Sequence, residues 1–278
     1  MMLRIALCLL FLSGSLAAVE PFVLITVPKS GSHLIIKALH SLTGVPPVWH
    51  THFPSFWCIP SEKGFLYTHF CVPPELARNY QSLPRLKQIV MIRDLRDVAI
   101  SMVGHITRSP WPGLSGKERD HFLSLSFDEQ LLFVINYDYD IYEIAEKCPH
   151  ANQVSLRKIA LQAAEYAQDP HRLTIRYEDL VGPQGGGSLD AQLDALAKMA
   201  TFIDAHPSSL AEIAEQLYGN EHDPFGKGDL QNYQSTFSQG SIGRWKTLFK
   251  PEHVHAFKEK IGPYLIALGY EQDDSWFP

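Results

Sequence analysis

Short unbroken apolar runs alternate along the chain with longer stretches of helical period. Phe22 to Val27 is apolar or β-branched throughout, as in a strand covered on both faces. Pro28 ends that strand because it cannot donate to a sheet ladder. Ser30, Gly31 and Ser32 supply turn and N-cap residues, and the pattern then predicts a helix from His33 to Leu42. Gly64 to Phe70 reads as a second strand ending at His69, and Pro73 and Pro74 open a helix through Tyr80. Lys87 to Ile92 is a strand. After Asp94, an N-cap residue, Leu95, Val98, Ala99 and Met102 recur at helical spacing.

Further along, Phe127 to Lys147 predicts one long amphipathic helix, with Leu131, Leu132, Ile135, Tyr139 and Tyr142 toward the core. Val154 to Gln168 predicts another. Arg172 to Tyr177 is a strand. Leu189 to Ala205 and Ser208 to Leu217 form a helix pair broken at His206-Pro207, and Pro251 opens a last helix to Leu268. Ser109 to Lys117 and Asn220 to Ser241 read as loops, and Pro183 to Ser188 as a flexible surface loop.

Strands alternating with helices imply an α/β fold, a mainly parallel sheet flanked by helices. Ligands of such sheets bind beyond the strand C-termini. Lys29, His69, Arg93 and Tyr177 all fall at predicted strand C-termini. The turn from Pro28 to His33 gathers backbone N–H groups and the positive end of a helix dipole, a site for an anion such as phosphate, and Lys29 adds a full charge. It is not a Walker A loop, since its lysine precedes the glycine and no Gly-x4-Gly-Lys-Ser/Thr occurs anywhere; Gly-x-Gly-x-x-Gly is also absent.

Composition narrows the functional classes. The chain has 278 residues, 45% of them hydrophobic, material for one sizeable core. A net charge of −6 argues against a general nucleic-acid binder. Residues 1–18 read as a cleaved export signal: Arg4, the apolar run Ile5 to Leu12, then the small-residue site Ser15-Leu16-Ala17. That run is shorter than the ~20 residues of a membrane span. Residues 19–278 are then one domain, in a secreted, periplasmic or luminal protein. Beyond Cys8, the cysteines Cys58, Cys71 and Cys148 allow one disulfide at most. His50 and His52 would share a strand face, yet no third ligand stands at a readable spacing, so no metal is expected.

With these positions in hand, the chain resembles the sulfotransferases that use 3′-phosphoadenosine 5′-phosphosulfate (PAPS), whose fold is P-loop-hydrolase-like. Pro28-Lys29-Ser30-Gly31-Ser32 resembles their 5′-phosphosulfate loop. Tyr67-Thr68-His69 is similar to the Lys-Thr-His segment that carries the general base. Arg93-Asp94-Leu95-Arg96-Asp97 through Ser101 looks like the 3′-phosphate signature, Arg-Asn-x-x-Asp-x-x-x-Ser. Arg176-Tyr177-Glu178-Asp179-Leu180 matches a segment whose Tyr lies near adenine. Gly240-x-x-Gly243-Arg244-Trp245-Lys246 resembles the C-terminal Gly-x-x-Gly-x-Trp-Lys element.

The resemblance implies transfer of the sulfuryl group of PAPS to a hydroxyl or amine of a small-molecule or carbohydrate acceptor, by in-line displacement. His69 is then the base, with His33 or His52 next in line, and Lys29 stabilises the leaving phosphate. Backbone N–H groups of Ser30, Gly31, Ser32 and His33 hold the 5′-phosphate, and Arg93 with Ser101 the 3′-phosphate. Tyr177, Gly240 and Arg244 complete the nucleotide site. Some positions depart from the pattern. Leu34 stands where an aromatic often stacks on adenine, Tyr67 replaces the Lys of Lys-Thr-His, and Ser238-Gln239 replaces an Arg-Lys pair. These losses imply a weaker hold on the nucleotide and leave open a non-catalytic binding protein on the same scaffold.

Overall fold

The structure, a computed structural model, describes Val19, Leu114 and residues 22–49, 65–69, 87–108, 116–137, 155–219 and 240–278, with 48–49 and 65–69 as backbone. The predicted leader, His50, His52, the Pro73–Tyr80 helix, the cysteines and Ser238-Gln239 lie outside these residues.

The described strands are Phe22–Thr26 (β1), Pro47–Trp49 (β2), Phe65–His69 (β3), Lys87–Ile92 (β4) and Arg172–Arg176 (β5). They form one parallel sheet in the order β2-β3-β1-β4-β5. Strand β2 carries no apolar run long enough to predict it. It has 3 residues at the sheet edge, with Pro47 at its first position, where a missing N–H is tolerated. On β1, Val23 and Ile25 join one buried layer while Phe22 and Leu24 join the other. Val90 and Ile92 divide in the same way from Ile89 and Met91 on β4. Alternation between two covered faces is why these strands read as unbroken apolar runs.

Numbered in order among the described residues, the helices are Ser32–Thr43 (α1), Leu95–Arg108 (α2), Gly116–Ser124 (α3), Phe127–Asn136 (α4), Leu156–Ala167 (α5), Tyr177–Leu180 (α6), Leu189–Ile203 (α7), Leu210–Leu217 (α8), Trp245–Leu248 (α9), Pro251–Lys260 (α10) and Gly262–Ala267 (α11). Helices α1, α7 and α8 cover one sheet face; α2, α4, α5 and α10 cover the other.

Several predicted boundaries are corrected. Helix α4 starts at a Ser126–Glu129 capping box but ends at Asn136, so the helix expected to run to Lys147 is not continuous. Tyr137 is extended there, its ring stacked on Phe133 at 4.6 Å and its hydroxyl donating to Glu118 at 3.1 Å. Tertiary contacts of one aromatic residue override the local period. The buried face of α4 is Gln130, Leu131, Val134 and Ile135 rather than one including Leu132. Gly116 and Lys117, expected in a loop, open α3. The last predicted helix breaks at Ile261, because Pro263 lacks the N–H to continue α10. Pro183–Gly185 is a tight 3₁₀ turn with Gly185 buried, where a loose loop was expected. A Cβ on Gly185 would meet Val181 Cγ2 at 2.2 Å and the Gly240 carbonyl at 2.6 Å.

Behind the sheet edge, Arg96 is 2% exposed and bonds Asp94 at 2.7 Å and Glu271 at 2.5 Å. Its guanidinium lies 3.6 Å from the Trp245 ring centre and 4.6 Å from that of Trp276. This knot ties the start of α2 to the C-terminal segment. Arg96→Ala would strand two carboxylates and should destabilise the chain by about 3–5 kcal/mol. Urea unfolding checks it; a loss under about 1 kcal/mol would mean water replaces the guanidinium.

Candidate functional site

The parallel register sets the site. His69 pairs beside Thr26, Thr26 beside Met91, and Met91 beside Ile175. The residues that leave β1, β4 and β5 therefore emerge at one edge, as sequence spacing predicted for Lys29, Arg93 and Tyr177, with His69 ending β3 at the same level.

The loop after β1 is held in an unusual backbone state. Lys29 has φ +66° and Gly31 φ +93°, both left-handed. A left-handed lysine costs on the order of 1 kcal/mol and marks a position held by its surroundings. Gly31 is required twice over. Its φ disfavours any side chain, and a Cβ there would sit 2.4 Å from the Tyr177 ring. Gly31 is the N-cap of α1, without a side-chain cap.

The amides of this loop divide between structure and availability. Ser30 N–H donates to Val27 O at 3.0 Å, and its buried side chain turns inward, its hydroxyl 3.5 Å from Met91 O. The Ser32 hydroxyl pairs with Thr26 at 2.7 Å. Leu34 N–H donates to Gly31 O at 2.9 Å. Among the described residues the Gly31 and Ser32 amides donate to no backbone carbonyl. His33 is half-buried in the first turn of α1.

Arg93 joins this loop to the C-terminal segment. One guanidinium nitrogen donates to Lys29 O at 3.3 Å and the other to Ser241 O at 2.9 Å. The group stacks over the Tyr177 ring at 4.2 Å and lies 3.9 Å from Asp97, while its buried Nε has no partner among the described residues. Tyr177, 4% exposed, donates its hydroxyl to Gly240 O at 2.7 Å. Burial pushes that phenol up to about 12, so it stays a donor at neutral pH.

Two acidic residues that the sequence reading passed over complete the frame. Asp97 accepts from Gly243 N–H at 2.7 Å and Trp245 N–H at 3.1 Å, and burial raises its carboxyl pKa above the usual value. Glu178 accepts from Asp94 N–H at 2.9 Å and from the Tyr270 hydroxyl at 2.8 Å, and burial raises it too. Both lie inside quoted motifs, and only their tertiary partners reveal the role. Ser101 is half-buried on α2; Arg244 is half-buried at the start of α9, without a side-chain hydrogen bond among the described residues.

The Lys29 amine is pulled down from 10.5 to about 8 by burial, then by the positive charges of Arg108 and Arg93. A counter-charge beside this buried amine would raise its pKa again. Among the described residues no cluster of His, Cys, Asp and Glu is arranged to hold a metal ion, and no helix is long and apolar enough to cross a membrane.

The loop after β1 leaves the C-terminal edge of a parallel sheet, and solved structures sharpen the fold. The chain is similar to mouse sulfotransferase SULT7A1 complexed with PAP, at TM-score 0.58 and 17% identity, over 88% of this chain and 84% of that one. It is also similar to retinol dehydratase in complex with androsterone and inactive cofactor PAP, at TM-score 0.51 and 16% identity, over 93% and 82% of the two chains. Retinol dehydratase in a complex with retinol and PAP matches at TM-score 0.50 and 15% identity, over 93% and 83%. The chain thus has the sulfotransferase fold. No family model and no curated protein sequence matches it.

The Lys29 shift gives a direct test. Acetic anhydride labelling followed by mass spectrometry should show Lys29 half-reactive near pH 8, well below ordinary surface lysines. The sign for stability follows: the charged amine weakens the fold below that pH, and the penalty lifts as pH rises from about 8 toward 10.5. Titration with the bulk lysines would remove the cationic setting inferred for the loop.

Proposed function

We propose that this chain is a PAPS-dependent sulfotransferase acting on a hydroxyl or amine. The observation that carries the reading is a left-handed, charge-starved Lys29 at the C-terminal edge of a sheet with the sulfotransferase fold. The chemistry of the residues fits a nucleotide with phosphates at two positions. The Gly31 and Ser32 amides and Lys29 gather at the loop, and among the described residues the buried Nε of Arg93 lacks a partner.

In this reading Lys29, Gly31, Ser32 and His33 bind the 5′-phosphosulfate, with Ser30 shaping the turn. Arg93 and Ser101 face the 3′-phosphate. Gly240 and Arg244 close the nucleotide side, and Tyr177 positions the loop through Gly31 and Arg93. The acceptor's oxygen or nitrogen lone pair forms a new bond to sulfur as the bond from sulfur to the bridging oxygen breaks. That electron pair leaves on the 5′-phosphate, where Lys29 stabilises it, and His69 takes the acceptor proton. General-base help of this kind is worth ~10²–10⁴-fold, and a fixed cation at the developing charge adds to it.

The ligands named with the similar structures, PAP, androsterone and retinol, support a nucleotide together with a small-molecule acceptor. The proposal includes a single domain over residues 19–278 and export by the leader 1–18. Amino-terminal sequencing of secreted protein tests the latter, and retention of Met1 would sink it.

A second reading, a non-catalytic nucleotide-binding protein, is favoured by one observation. Leu34, at the position expected to stack on adenine, packs instead against the core layer of α1. Turnover separates the two. With labelled PAPS and an acceptor panel, the enzyme should transfer label, and His69→Ala should lower kcat ~10²–10⁴-fold while PAP affinity stays near its original value. PAP binding without transfer to any acceptor supports the second reading. No binding of PAP or PAPS defeats both.

A further inference from the structure

Three consecutive residues of the C-terminal segment, Gly269, Tyr270 and Glu271, bond to the sequence neighbours of both Arg93 and Tyr177. Arg176, which precedes Tyr177, donates to Leu268 O at 2.6 Å and Gly269 O at 3.3 Å, and its guanidinium stacks on the Tyr270 ring at 4.5 Å. Gly269 lets the chain come this close. Its φ is +70°, and a Cβ there would stand 3.0 Å from Arg176 Nη2. Glu178, which follows Tyr177, accepts from the Tyr270 hydroxyl at 2.8 Å. Glu271 pairs with Arg96, whose guanidinium also clasps Asp94, the residue after Arg93. Among the described residues none of the three bonds to Arg93 or Tyr177 themselves.

These ties converge on the Glu178 carboxylate. One oxygen accepts from Asp94 N–H at 2.9 Å and the other from Tyr270. That N–H belongs to the planar peptide group joining Arg93 to Asp94. The bond therefore fixes the backbone that carries the Arg93 side chain past β4. Glu178 itself follows Tyr177 directly, so one carboxylate spans the chain just beyond both β4 and β5. The Tyr270 hydroxyl restrains its second oxygen from the C-terminal side. Burial, and then the Glu178 charge, hold the Tyr270 phenol well above its usual pKa, so it remains a donor. A carboxylate tied at one oxygen can turn about its terminal bonds; tied at both, it keeps its orientation.

We propose that Tyr270 is a positioning residue for the candidate site. By locking Glu178 against the Arg93–Asp94 peptide, it keeps the Arg93 guanidinium on the Tyr177 ring, in place for the 3′-phosphate. The identity of that anion rests on the sulfotransferase reading above; the position of Arg93 rests on geometry alone. Tyr270 lies outside every motif that defined the site, 92 residues beyond Glu178.

Two readouts on the full chain test it: equilibrium dialysis with radiolabelled PAP, and the nuclear magnetic resonance signal of the Arg93 Nε–H, identified by its loss in Arg93→Lys. Tyr270→Phe removes one oxygen and keeps the ring against Arg176. It should weaken PAP binding about tenfold and shift or broaden the Arg93 signal. In the Arg93→Lys background the same change should cost less than about twofold further, because the group it positions is already gone. PAP affinity within about twofold of wild type, or an unmoved Arg93 signal, overturns the proposal. So does a loss of about tenfold that persists in Arg93→Lys, which would make Tyr270 a support of the scaffold only. Should Tyr270→Phe fail to fold, Glu178→Asp is read in the same way, since its shorter side chain cannot span Asp94 and Tyr270 together. If the wild-type chain binds no PAP, the sulfotransferase reading falls. The Arg93 signal of nucleotide-free Tyr270→Phe then still decides whether Tyr270 positions that guanidinium.

Discussion

The contact between the Tyr177 ring and the backbone of Gly31 is the constraint on which the rest of the site depends. It joins the end of β5 to the loop after β1, two elements far apart in sequence. A side chain at Gly31 would occupy the ring's own volume, so the loop closes only over glycine. The same ring carries the Arg93 guanidinium on its face, and its hydroxyl holds the Gly240 carbonyl. One buried aromatic residue thereby sets the positions of the phosphate-type loop, the cation after β4 and the C-terminal turn. Steric exclusion fixes the spacing, while the hydrogen bond fixes the orientation.

How the site stays positive in a chain of net charge −6 follows from the partners of its cations. Arg93 is held by two backbone carbonyls, with Asp97 at the margin of an ion pair. Carbonyls orient a guanidinium without cancelling its charge. Asp97 instead spends its oxygens on the amides of Gly243 and Trp245, and Glu178 on Asp94 and Tyr270. Arg96, which does find carboxylates, is withdrawn between Trp245 and Trp276 and serves the scaffold. The acidic residues build the frame, and the Lys29 amine is left without compensation. Burial first, and then the charges of Arg108 and Arg93, pull its pKa down.

Much of this was legible before the structure. Strand β4 runs from Lys87 to Ile92 as its apolar run indicated, since a strand buried on both faces needs little beyond local pattern. The loop from Lys29 to Gly31 and the residues following β4 and β5 were placed at one sheet edge, because parallel strands end together. Helix ends were less readable. Tyr137 leaves α4 for contacts with Phe133 and Glu118 that no local period encodes. The Pro183 turn looked loose because glycines suit mobile loops, yet here Gly185 serves close packing against Gly240.

By itself the sequence determined the types of the main strands and helices, their parallel alternation, and the chemical identity of Lys29, Arg93 and Tyr177 at strand ends. These follow from local periodicity and from residue types with few alternative uses. Only the tertiary structure decided which groups are spent and which remain available. It turned Ser30 inward, committed Asp97 and Glu178 to amides, placed Tyr177 beneath Gly31, and brought the charge of Arg108 to Lys29 from the far end of α2. Spacing along the chain carries no record of such pairings, because they depend on burial and on contacts between segments that meet only when the sheet is assembled.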